Sequence, residues 1–139
     1  MLDREKLVEK CRRQGFKITP QRLAIFDALH NNNNHPTAEM LYKEISRKYP
    51  TITLTTVYKT LDMLINMGEI VSLDINPERK HFDPRTELHH HIICEKCKQI
   101  MDVFEVESEI KPPKEIENKF VLKGYHIDFY GICQKCRDR

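Results

Sequence analysis

The sequence predicts an α+β protein in two parts, a winged helix-turn-helix followed by a small α/β domain stapled by metal. Two observations carry this. Four helical hydrophobic patterns run to Gly68, where the period changes at once from 3.6 to 2. Two CxxC pairs, Cys94–Cys97 and Cys133–Cys136, then occupy the last third, the first directly after His89-His90-His91.

The first helix is amphipathic from Leu2 to about Arg13 and ends at Gly15. Thr19-Pro20 supplies an N-cap and a proline at the first helical position of the second, which carries Leu23, Ile25, Phe26 and Leu29. Asn31 to Asn34 make a polar turn. His35-Pro36-Thr37 opens a third helix, with Leu41, Ile45 and Tyr42 facing inward and its end near Pro50. A fourth runs from about Thr53 to Gly68, burying Val57, Leu61, Leu64 and Ile65 and presenting Thr56, Lys59 and Thr60 outward, with Tyr58 at the margin. Glu69–Leu73 and Lys80–Asp83 read as strands joined by Asn76-Pro77-Glu78, the wing. In this layout the last helix enters a DNA major groove and the hairpin meets the phosphate backbone.

Domain boundaries are expected at 1–83 and 84–139. In the second part His89–Ile93, Gln99–Val103 and Tyr125–Gly131 resemble strands, and Lys114 to about Phe120 a helix. So short a segment cannot hold a large core, so a metal staple or a partner subunit is expected.

At 139 residues and 40% hydrophobic content the chain can build one ordinary core or two small ones. Residues 1–80 carry 13 basic and 10 acidic side chains, against 10 and 11 in residues 81–139. That mild asymmetry suits a nucleic-acid-binding front and equally suits a solvated helix face. No stretch is long and apolar enough for a membrane span, and the start lacks the apolar core of a signal peptide, so a cytoplasmic location is expected. In that compartment CxxC pairs are metal ligands or redox centres rather than disulfides.

Two CxxC pairs suit one tetrahedral all-thiolate zinc. The competing readings are a redox dithiol or unrelated surface cysteines; a redox centre needs only one pair, and neither pair opens a helix after a core strand in a βαβ unit. Cys11 stands apart as a small buried side chain. On a strand, His89 and His91 share a face while His90 and Ile92 take the other. Asp83 and Asp102 are candidates to complete a nitrogen–oxygen site for Fe(II), Mn(II) or Zn(II), and a polar surface strand is the alternative. His30, His81 and His126 read as surface or satisfied histidines. No open zinc position with a neighbouring general base is evident, which argues against an enzyme.

Together the motifs resemble the ferric uptake regulator family of bacterial metal-dependent repressors. They are Lys17-Ile18-Thr19-Pro20-Gln21-Arg22, His35-Pro36-Thr37-Ala38, Thr56-Val57-Tyr58, Phe82-Asp83, His89-x-His91-x-x-Cys94-x-x-Cys97 and Tyr130-Gly131-x-Cys133-x-x-Cys136, in the family's order. The resemblance implies a homodimer whose second domain dimerises, and structural Zn(II) on Cys94, Cys97, Cys133 and Cys136. It implies regulatory Fe(II) or Mn(II) on His35, Asp83, His89, His91 and Asp102. It also implies a pseudo-palindromic double-stranded DNA operator, with Tyr58 against thymine methyls, Lys59 at base edges or phosphates, Lys17 in the minor groove, Arg22 on a phosphate, and Thr56 on the same helix face. Aspartates at 83 and 102 lean toward the peroxide-sensing branch, with oxidation expected at His35 and His91, over the iron-responsive alternative. A further metal site of some relatives is incomplete here, with Leu88 and Tyr125 where histidines would be expected and His126 out of register.

Overall fold

The computed structural model describes residues 3–30, 32–106 and 110–139, so Leu2 and Asn31 lie outside the described residues. The chain divides into two compact units, Met1–Glu87 and Leu88–Arg139.

The first unit is built by side-chain caps. Asp3 accepts from the Glu5 N–H to start α1 (Arg4–Arg13), Thr19 from Arg22 to start α2 (Pro20–Leu29), Thr37 from Met40 to start α3 (Ala38–Ser46), and Thr53 from Thr56 to start α4 (Leu54–Asn66). Gly68, at φ +75°, takes the left-handed conformation that ends the α4 segment. Leu7, Ile25, Phe26, Leu29, Leu41, Val57, Leu61 and Leu64 form the core. Lys10 locks α1 onto the end of α4, donating to the Met67 carbonyl at 2.8 Å and pairing with Glu69 at 2.6 Å.

Expectation and structure part at three places here. Thr60, expected on the outer face, is fully buried and donates its hydroxyl to the Thr56 carbonyl at 2.8 Å, which satisfies the polar atom inside the core. Its place on the helix is continuous with Val57, Met63 and Met67, so the buried stripe is wider than the sequence pattern suggested, while Ile65 is only half-buried. The wing strands are short, β1 (Val71–Leu73) pairing antiparallel with β2 (His81–Asp83).

The second unit is a three-stranded sheet in the order β4–β3–β5. β3 (His90–Cys94) pairs antiparallel with β4 (Ile100–Val103) and parallel with β5 (Asp128–Gly131). The helix expected to reach Phe120 is the single turn α5 (Lys114–Glu117), and a further turn, α6 (Gln134–Arg137), follows β5. Among the described residues this unit buries only Ile93, Cys94, Ile100 and Cys136 as apolar side chains, against sixteen in the first. No helix among the described residues is long and apolar enough to cross a membrane.

Candidate metal centres and nucleic-acid interface

The sheet register builds the thiol cluster. Cys94 ends β3 opposite Gly131 of β5, which brings the second CxxC pair to the first. Lys98, at φ +66°, turns the first pair back toward β4, with its N–H donating to the Cys94 carbonyl at 2.9 Å. All four sulfurs lie within 4.8 Å of one another. A tetrahedron with bonds of about 2.3 Å has edges of about 3.8 Å, and the Sγ atoms of Cys97 and Cys133 stand 3.8 Å apart. The donor set and its spacing therefore fit zinc.

The thiols are electrostatically unequal. The N–H groups of Cys133 and Cys97 donate to the Cys94 sulfur at 3.3 and 3.5 Å, and they hold its pKa down to about 6. Burial, and then the neighbouring thiols, pushes Cys136 up to about 12. Four thiolates cannot share this volume without a cation to neutralise them. Cys133 precedes the turn α6, so the second pair does open a helical turn, but it does so after the edge strand β5 rather than after a core strand.

The histidine strand alternates as its period requires. His89, His91 and Ile93 are buried while Ile92 is exposed. Both His89 Nε2 and His91 Nε2 converge on Asp102 Oδ1, at 2.9 and 3.3 Å, because His91 faces Asp102 across the β3–β4 ladder. The Phe104 ring stacks on His89 with centroids 5.3 Å apart. His90 serves the structure from the opposite face, its Nδ1 accepting the Ile127 N–H at 2.8 Å ahead of β5. Sequence alone gave His90 no role, since its partner is 37 residues away.

In the first unit, His35 Nε2 lies 3.3 Å from Asp83 Oδ2, with both side chains almost wholly buried. Ligands bonded at about 2.1 Å to a common ion stand about 3.0 to 3.4 Å apart in octahedral to tetrahedral geometry. The His35–Asp83 and His91–Asp102 distances fit that range and His89–Asp102 lies at its short edge, at 2.9 Å; imidazole with carboxylate suits Fe(II), Mn(II) or Zn(II). His126 pairs with Asp128 at 3.4 Å on an exposed surface.

On the DNA-facing candidates, Tyr58 and Lys59 are exposed on α4 and Thr56 is half-buried. The Tyr58 hydroxyl donates to Glu39 of α3 at 2.7 Å, which lowers the Glu39 carboxyl pKa and raises that of the Tyr58 phenol. Lys17 is exposed, and Arg22 donates to the Lys17 carbonyl at 2.6 Å, tying that loop to α2. Glu39 is the residue here that motif reading passed over.

Known proteins share this plan. The profile of the Ferric uptake regulator family matches residues 13–130. A peroxide-responsive repressor, PerR, of Staphylococcus epidermidis is 33% identical over 135 residues, covering 96% of this chain and 90% of that protein. The solved structure of PerR from Streptococcus pyogenes, described as a basis for peroxide sensing and gene regulation, is similar at 26% identity and a TM-score of 0.58, covering 98% of this chain and 94% of that one. The Helicobacter pylori ferric uptake regulator shares the fold at a TM-score of 0.75 and 22% identity, over 96% of this chain and 90% of that one. With its winged helix, its thiol cluster and its His–Asp sets in the family's order, the chain belongs to the ferric uptake regulator family.

Proposed function

We propose that this chain is a metal-dependent transcriptional repressor that senses peroxide, acting in the cytoplasm as a homodimer on a pseudo-palindromic operator. The observation that carries this reading is that each unit holds part of a nitrogen–oxygen donor set. His35 and Asp83 form one part and His89, His91 and Asp102 the other, with only residues 84–88 between them in sequence. Relatives named as peroxide-responsive repressors support the branch, as do aspartates at 83 and 102.

In this mechanism Cys94, Cys97, Cys133 and Cys136 hold Zn(II) permanently and complete a unit whose own core is small. Four thiolates would fill a zinc ion's coordination and leave no position for a substrate, in keeping with a regulator rather than an enzyme. His35, Asp83, His89, His91 and Asp102 would together hold the regulatory Fe(II) or Mn(II), whose binding to donors of both units would favour the DNA-competent state. Bound there, Fe(II) supplies redox chemistry with peroxide that Mn(II) does not. His35 and His91 are the imidazoles that would take up one oxygen of the peroxide, the other leaving as water. An oxidised ring would be a weaker donor, so the metal and then the DNA would be released.

Thr56, Tyr58 and Lys59 read the major groove from α4, while Lys17 and Arg22 contact the backbone and minor groove. Exposed Met101, Phe104, Phe120, Val121, Tyr130 and Ile132 give the second unit an apolar surface suited to a second copy of the chain. The test loads the protein with Fe(II), adds one equivalent of peroxide and maps added oxygen by mass spectrometry while following operator binding. Oxygen on His35 and His91 with loss of DNA is expected. Unmodified histidines and retained DNA would refute peroxide sensing and favour an iron-responsive repressor.

A further inference from the structure

His35 sits in a backbone conformation that its side chain does not favour. Its φ is +51°, in the left-handed region, which a non-glycine residue keeps only when its surroundings enforce it. The enforcing contacts come from β2. The His81 ring reaches the His35 carbonyl with Nδ1 at 2.6 Å, and the Phe82 N–H donates to the next carbonyl, that of Pro36, at 2.9 Å.

The chain of hydrogen bonds continues to the wing, and its polarity is fixed at every link. The Glu78 N–H donates to Asn76 Oδ1 at 3.0 Å, closing the wing turn and leaving the Asn76 Nδ2 as the other end of the amide. That Nδ2 lies 3.3 Å from His81 Nε2. A carbonyl can only accept, so His81 carries its proton on Nδ1, and its Nε2 lone pair receives the Asn76 amide. Asn76, His81 and His35 are all buried, at 7%, 8% and 1% exposure, so no water replaces these partners cheaply.

We propose that Asn76 and His81 are positioning residues that form a relay from the wing turn to the backbone of His35. Through it, occupancy of the regulatory site and the shape of the wing are set together. This rests on the assignment of His35 as a regulatory ligand. Energy passes both ways along such a link: a wing held by DNA favours the His35 geometry that binds metal, and bound metal favours that wing. Asn76 touches none of the assigned ligands, which makes it the informative position.

Affinity for Mn(II) is measured by chelator competition on the zinc-containing protein, for wild type, Asn76→Ala, His81→Phe and the double variant. Partners that orient a ligand typically change metal affinity about 10–100-fold. Each single variant is expected to bind Mn(II) about 10-fold more weakly, and the double variant no more weakly than either, since one link already breaks the relay. Asn76→Ala within about twofold of wild type, or losses that multiply in the double variant, would overturn the relay. Nitrogen-15 NMR of the metal-free wild type supplies a second reading that general destabilisation does not mimic. A His81 ring protonated on Nδ1 is expected, and one protonated on Nε2 overturns the proposal even if His81→Phe fails to fold. A wild-type protein that ignores Mn(II) refutes the sensor assignment instead, and is told apart by the same NMR measurement.

Discussion

Replacing Cys136 by serine tests whether metal, rather than packing, holds the second unit together. Cys136 is 6% exposed and is one of only four buried apolar side chains among the described residues there, two of the four being cysteines of the cluster. Structural zinc contributes about 10–16 kcal/mol in small metal domains, as much as the whole stability of an ordinary domain at about 5–15 kcal/mol. The core of α1–α4 shares none of these residues. Removing one thiolate is therefore expected to unfold residues 88–139 while leaving the helical unit intact. Hydrogen exchange read by mass spectrometry, with zinc measured in parallel, resolves the two. Amides of β3 and its neighbours, such as Cys94 donating to Gln99 and Glu95 donating to Gly131, should lose protection by several orders of magnitude, since each 1.4 kcal/mol or so is a factor of ten. Amides of α2 to α4 should not change. A zinc-free Cys136→Ser protein with wild-type protection in β3 would refute the reasoning.

The Tyr58–Glu39 bond has a pH signature. Its contribution is present above the ordinary carboxyl value of 4.5 and is lost as pH falls through the lowered Glu39 value. At the alkaline end it is complete below 10.0 and is lost as pH rises through the raised Tyr58 value. Glu39→Gln should bring the phenol titration, followed by ultraviolet absorbance, back toward 10.0. Leu61 is fully buried, so Leu61→Ala should cost about 2–5 kcal/mol in thermal or denaturant unfolding of the helical unit. Asp102→Ala removes the carboxylate on which His89 and His91 converge. It should keep zinc yet abolish the Mn(II)-dependent gain in operator affinity measured by fluorescence anisotropy.

Much of this architecture was legible because it is written locally. Thr19, Thr37 and Thr53 are capping residues whose hydrogen bonds span three positions, and His89 to Ile93 alternate because a strand must. Thiol spacing exposed one candidate centre, and motif order pointed to the other. What escaped leaves no local periodic signal. Thr60 looked like a surface residue because its hydroxyl is satisfied by its own helix, which hides the polarity from the core. The turn α6 is too short to display a period, and α5 is a single turn whose side chains are exposed. His90, Glu39 and the Asn76–His81 pair acquire their roles from contacts that only the tertiary fold creates.

β3 has one more implication. It holds the central place in its sheet, with His91 near its start and Cys94 at its end, roughly 10 Å apart at about 3.3 Å per residue. The same rod would thus anchor the permanent ion at one tip and offer the His91 imidazole to the exchangeable one near the other. Damage to the sulfurs would misalign the sensing end even with every histidine intact, so oxidants strong enough to strip zinc should silence the protein by a second, less selective route.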